Sequence, residues 1–416
     1  MSSKYPWTEI HRWAARGGLA VLDQALFSGA NFIVNILLAR WLPPEEYGAF
    51  AVAMSIFYLL AGFHTAVITE PMMVFGAGKY REHFKKYLGM LLWGHWAVSG
   101  LIAIILGISA LFFIKRGSPM GEALLGLAIA SPFLLFLWLT RRACYTNFKQ
   151  GWAVGASGIN LLATLLGIIL LWKVGTLSTL TGIVALGVAA GVASFMLTSL
   201  HLRPQVIGYS GNPTPGMVLK DHKWISLHGI SSLFAFWFSG HAISLLTPIV
   251  LGLEATALLN AVGTLFRPIN QFIAAYTLIA LPSLSAEFNY FNIPKSFGMV
   301  PIVIIYCVVI LVFGKYIYIY LFPQYNIGSA IVTLYALTVI ISSILGSCST
   351  ILKANKLVSK VAKAHWIAAT FTIVTFIPFI KVYGVYGILL TVTVSYLVAI
   401  IFNLYSIAAY LKSNKR

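Results

Sequence analysis

Apolar residues run in blocks of about twenty along nearly the whole chain, separated by short polar stretches. As a helix rising 1.5 Å per residue, such a block crosses ~30 Å of hydrocarbon. A single segment in lipid must satisfy its own backbone hydrogen bonds, which an α-helix does. The pattern predicts spans near 18–41, 48–69, 87–114, 122–140, 152–172, 177–200, 224–247, 255–281, 297–322, 326–350, 361–380 and 383–411. The expected fold is an all-α polytopic membrane protein of twelve transmembrane helices with no soluble domain.

Composition agrees. Hydrophobic residues make up 59% of the 416, charged residues 9%, and mean hydropathy is +0.88. A soluble domain carries about 25% charged residues. The net charge of +18 does not point to nucleic acid, because the basic residues sit in the loops between apolar blocks. One set of loops, with both termini, holds 21 of the 28 Lys and Arg; the other set holds 6, and Arg267 falls inside a span. The positive-inside rule then places both termini in the cytoplasm and requires an even number of spans. Lys4, Arg12 and Arg16 precede a long first block without a small-residue cleavage site, so that block reads as a span and not as a signal peptide. Cys144, Cys307 and Cys348 have no disulfide spacing. No metal-ligand spacing and no Walker sequence occurs, so no metal, cofactor or ATP hydrolysis is expected. The outer loops, 42–47, 115–121 and 173–176 among them, are too short for a periplasmic catalytic domain. Function is expected inside the helix bundle or at its cytoplasmic mouth.

An offset of 211 relates Phe27-Ser28-Gly29 to Phe238-Ser239-Gly240 and Pro71 to Pro282. It suggests two six-helix bundles, residues 1–200 and 224–416, joined by a Pro/Gly-rich linker at 201–223. Because six is even, the bundles would be related by an axis along the membrane normal, an arrangement common in transporters that work by alternating access.

Polar residues inside spans mark candidate function. Gln24, Ser28, Asn31 and Asn35 share one face of the first span, and Asn260, Thr264, Arg267 and Gln271 repeat that spacing in the eighth. Each stripe lines a cavity or joins neighbouring helices by hydrogen bonds. An arginine at mid-membrane costs about 2.5–3.5 kcal/mol or more, so Arg267 needs a partner. That partner is a structural acid, with Asp23 the intramembrane candidate, or an anionic substrate headgroup bound in two-point geometry. Pro268 predicts a kink beside it. Asp23 reads as a proton or sodium site or as a solvated acid in the cytoplasmic mouth. His64, His228 and His241 read as packing histidines or as proton carriers.

Two stretches carry a family resemblance. NILLARWLPPEEYGAFA (35–51) and LGLEATALLNAVGTLFRPINQFIAAYTLIALPSLS (251–285) resemble the polysaccharide exporters of the multidrug/oligosaccharidyl-lipid/polysaccharide (MOP) superfamily, the branch of the O-antigen flippases. The resemblance implies a flippase that moves an undecaprenyl-diphosphate-linked oligosaccharide to the periplasmic leaflet of a bacterial inner membrane for surface polysaccharide synthesis. It implies a cationic lumen, matched by Arg267 and extended outward by Arg40. The related multidrug branch carries an acidic residue in its first helix for cation coupling, and Asp23 lies in the corresponding helix; proton coupling through His64 or His241 is a reading of those residues alone. A polysaccharide polymerase and glycosyltransferases as pathway partners follow from the family comparison. The alternatives are a multidrug cation antiporter on the same fold and, on weaker grounds, a membrane polysaccharide polymerase or ligase. A major-facilitator carrier is disfavoured, because EPMMVFGAGKYREHFKK (70–86) lacks its basic loop motif.

Overall fold

The computed structural model describes residues 6–208, 211–237, 243–273, 276–277, 296–355 and 357–413, and among these the regular structure is all helical. The chain divides into two compact units, Met1–Leu233 and Phe234–Arg416.

The first unit contains α1 (Pro6–Trp41), α2 (Pro44–Ala77), α3 (Phe84–Ile114), α4 (Pro119–Thr146), α5 (Gln150–Val174), α6 (Thr179–Leu202) and most of α7 (Pro215–Phe236). Helix α4 is its hub. It packs on α2, α3, α5 and α6, and its core face (Leu127, Ala130, Leu135, Leu139, Ala143) is fully buried. The α4–α6 approach depends on glycine: a Cβ at Gly187 would lie 2.7 Å from the Ala130 Cα. Small residues of this kind let helices close up in lipid, where van der Waals packing replaces the hydrophobic drive. Helix α2 changes to π-helical geometry over Thr65–Thr69, and α6 does so over Thr198–Leu202.

The motif at 35–51 acts as a latch. Glu46 accepts from the Thr179 N–H at 3.1 Å and so caps α6, while the fully buried Tyr47 donates to Asn35 at 3.4 Å. Trp41 stacks on Trp172, with centroids 4.5 Å apart, where α1 and α5 end together. At the opposite end Lys79 (2.6 Å) and Tyr80 both donate to Asp221, and these bonds hold its carboxyl below the usual carboxylate range.

The second unit holds α8 (Ile243–Thr264), α9 (Met299–Leu321), α10 (Ser329–Ala354), α11 (Val358–Tyr383) and α12 (Val385–Ser413). Gly252 (φ 83°, ψ 175°) breaks α8, and a left-handed φ there is open to glycine. Eleven described helices are long and apolar enough to cross a membrane, and the window Leu245–Thr264 straddles that break. The break falls in the outer turn expected between the seventh and eighth spans.

The 211-residue offset carries α4 almost onto α10 and α5 onto α11. The packing pairs repeat as well: α3–α4, α4–α6 and α5–α6 in the first unit, α9–α10, α10–α12 and α11–α12 in the second. Phe238–Gly240 and Pro282 lie outside the described residues.

Gly187→Ala is expected to cost about 1–3 kcal/mol through overpacking against α4. Gly155→Ala, where the added methyl meets no atom within 4 Å, is expected to be neutral or slightly stabilising. Thermal unfolding of the two purified variants in one detergent reads the difference.

Candidate functional site

Three polar clusters lie inside the helices. The first is built on Asp23, a residue of α1 that is 1% exposed. Arg141 of α4 donates to it from Nε (3.2 Å) and Nη2 (2.7 Å), in a bidentate pair. Tyr145 adds a bond at 2.7 Å, and Ser157 of α5 adds one at 2.5 Å. The Arg141 guanidinium also lies over the Phe27 ring, 4.0 Å from its centroid. One carboxylate thereby ties three helices together. Neither charge could stay buried alone at tolerable cost.

The second cluster surrounds the π-helical turn of α2. Arg142 donates to Thr69 Oγ1 at 2.6 Å and to Thr65 Oγ1 at 3.2 Å, and faces Trp138. Among the described residues it forms no ion pair. Directly before the π turn, His64 Nε2 meets His95 Nδ1 at 3.0 Å, and both rings are fully buried. Among the described residues, the outer nitrogens His64 Nδ1 and His95 Nε2 have no hydrogen-bond partner. Deeper in the same unit a cavity of about 30 Å³, room for a water, is lined by Asn31, Trp138, Asn160 and Thr164 among others.

The third cluster is Arg267. Helix α8 ends at Thr264, a turn occupies Leu265–Phe266, and helix resumes over 267–273. Pro268, which has no N–H, accounts for a break at this point. Two tyrosines of α9 support it: Tyr318 donates to the Val262 carbonyl at 2.9 Å, and Tyr306 to the Leu265 carbonyl at 2.6 Å. Phe266 stacks on Tyr335 at 4.9 Å. Arg267 is half-buried and donates from Nη2 to Asn260 Oδ1 at 2.8 Å, across the break. No carboxylate among the described residues pairs with it.

Solved structures with this arrangement of helices include the lipid II flippase MurJ in an inward closed conformation (TM-score 0.71, 16% identity, 95% of this chain and 87% of that one). The eukaryotic MATE transporter AtDTX14 is similar at TM-score 0.69 and 15% identity over 96% of each chain. An inward-facing multidrug resistance MATE transporter of the MOP superfamily gives TM-score 0.65 at 16% identity, over 94% of this chain and 96% of that one. The chain has the MOP exporter fold. No family model and no curated protein matches the sequence.

On the MOP fold the residues singled out in the sequence go to different places. Gln24 is exposed and donates to Ser28 at 2.9 Å; Asn31 is half-buried at the small cavity. Asn35 is 5% exposed and donates to the Asn31 carbonyl at 2.8 Å while accepting from Tyr47, so it is drawn into the latch. The stripe on α1 therefore does not share one environment. On the second stripe, Asn260 holds Arg267, Thr264 is buried and bonds back to the Asn260 carbonyl at 2.7 Å, and Gln271 is exposed. Arg40 is exposed at the end of α1. The expected Asp23–Arg267 alternative is replaced by Asp23–Arg141, and Asp23 is buried in that pair and not solvated. His241 and the side chain of His228 lie outside the described residues.

Arg141, Arg142, His95, Tyr145 and Ser157 were not anticipated. The two arginines count as cytoplasmic loop charges when the fourth span ends at 140, but α4 runs on to Thr146. Moving them into the helix leaves 19 basic residues against 6, so the charge asymmetry survives. The available signal was a second one: an intramembrane Asp with no partner in its own span.

Asp23→Asn and Arg141→Met are each expected to destabilise the protein by about 3–5 kcal/mol, because each strands a buried charge or donor set. The double variant Asp23→Leu/Arg141→Met is expected to recover most of that loss. Denaturation of the three purified variants provides the comparison. Additive losses would contradict a mutually dependent pair.

Proposed function

We propose that the protein is a membrane transporter, not an enzyme, and that it flips a lipid-linked oligosaccharide on undecaprenyl diphosphate from the cytoplasmic to the periplasmic leaflet of a bacterial inner membrane for surface polysaccharide synthesis. The observation that carries the reading is Arg267. Asn260 occupies one of its five N–H donors with a neutral amide oxygen. The remaining donors keep a fork that matches two phosphate oxygens. Pro268 and the two α9 tyrosines hold that charge at a helix break, an investment that packing alone does not require. Arg142, engaged by threonine hydroxyls and without a close ion pair among the described residues, offers a second cation within the first unit, with Glu70 in its field.

Alternating access between the two bundles would carry the headgroup across while the polyprenyl tail stays in lipid. For coupling, the His64–His95 pair is the stronger candidate. Two of its ring nitrogens have no partner among the described residues, and it lies next to a π-helical turn, whereas Asp23 is held by four hydrogen bonds. A cation antiporter would need a carboxylate available to its substrate, and Arg141 already neutralises Asp23.

Deletion of the gene is expected to make complete lipid-linked repeat units accumulate on the inner leaflet. Wild type should clear them, Arg267→Ala should clear them about 10- to 100-fold more slowly, as expected for a lost charge-assisted contact, and Arg267→Lys should fall between. Leaflet-resolved labelling of the lipid pool makes the measurement. An unchanged pool in the deletion strain, with raised sensitivity to cationic drugs, would favour the antiporter instead.

A further inference from the structure

We propose that the cytoplasmic end of the first unit carries a separate binding site for the phosphate headgroup of an anionic phospholipid of the surrounding bilayer. An open cavity of about 630 Å³ lies between the start of α3, the α4–α5 connection and the segment that follows α6. Arg81, Lys85, Lys86 and Lys149 line it, with Glu82 the single acid. Arg81, Lys85 and Lys149 are exposed and make no ion pair among the described residues. Lys86 is 7% exposed, and its ammonium is anchored to the Gly211 carbonyl at 2.5 Å. Four cations around one concave space repel one another unless an anion joins them. Helix α3 adds to the imbalance: its first turn has lysines and no acid, at the end where a helix favours negative charge.

The wall of the cavity is built. The chain after α6 lies along α3, with the Gln205 N–H on the Lys85 carbonyl at 3.0 Å. Trp93 Nε1 donates to the Val206 carbonyl at 2.9 Å. Gly89 admits this segment, since a Cβ there would run into the Gln205 carbonyl.

The aromatic residues identify a lipid and not a soluble anion. Trp152, 40% exposed, stacks flat on His201 at the cavity, with centroids 4.8 Å apart. Phe148, 48% exposed, stands between the lining residues Asn147 and Lys149, and Trp93, 62% exposed, bonds Val206 beside the lining residue Gln205. Exposed aromatic rings beside basic side chains mark headgroup depth, and juxtamembrane lysines there attract anionic lipid with about 1 kcal/mol each. The site is built from residues of the first unit and uses no part of the Arg267 cluster, so its failure would leave the flippase reading intact, and the reverse holds.

The test titrates short-chain phosphatidylglycerol into the full-length protein in a neutral detergent, with bound lipid counted by native mass spectrometry. Wild type is expected to bind saturably. Lys85→Gln/Lys149→Gln should weaken binding about 25-fold, fivefold per lysine. Lys115→Gln/Lys173→Gln, which removes the same charge at exposed positions on the other set of helix ends, should stay within about twofold of wild type. Equal weakening in both pairs would overturn the site in favour of diffuse charge attraction, and no weakening in the first pair would overturn it outright. Inorganic pyrophosphate that binds as tightly as the lipid and displaces it would mean a soluble-anion site and would also overturn the assignment.

Discussion

Asp23 and Arg141 form a bidentate ion pair in the interior of the first bundle. In hydrocarbon an isolated carboxylate or guanidinium costs several kcal/mol, so each of the two charges needs the other. Ser157 and Tyr145 complete the shell of the carboxylate, and the pair fastens α1 to α4 and α5. Its neighbour Arg142 meets the Thr65 and Thr69 hydroxyls of α2 and the Trp138 ring, with the Glu70 carboxylate of α2 in its electrostatic field. Among the described residues of the first unit, Asp23 is the acid that is almost fully buried, and Arg141 occupies it. Arg142 in one unit and Arg267 in the other form no close ion pair among the described residues.

The large features were legible in the sequence because they follow from length and hydropathy. Blocks of twenty apolar residues can only be helices, and basic loop residues alternate with them in a way that survives the transfer of Arg141 and Arg142 into α4. Pro268 announced the break that displays Arg267, since a missing N–H has the same consequence wherever the helix is placed. The finer readings failed where a helix end was needed to within a turn. Ending the fourth span at 140 hid both arginines in a loop, and no rule of composition would have paired residue 141 with residue 23. The polar stripe on α1 had the right spacing but not one role: Gln24 faces outward, whereas Asn35 serves Tyr47. Helical periodicity locates a face, and only packing decides what that face meets.

The family-like segment at 35–51 also changes meaning once it is folded. Its glutamate and tyrosine cap α6 and hold Asn35, so in this chain the motif secures the α1–α2 hairpin. A resemblance carried by such residues speaks for the fold, and the similarity to MurJ and to MATE transporters speaks for the fold as well. The choice of cargo has to come from the charges in the interior.

The central claim is therefore one about sign: the interior presents arginine to an anionic headgroup. Purified protein reconstituted into proteoliposomes with a fluorescent polyprenyl-diphosphate sugar tests it, with the fraction of label protected from an external quencher followed over time. The account predicts faster transbilayer movement than in empty vesicles, a loss of most of that rate in Arg267→Ala, and no movement of a neutral polyprenyl analogue without the diphosphate. Equal movement of the neutral analogue, or an unchanged rate in Arg267→Ala, would contradict it.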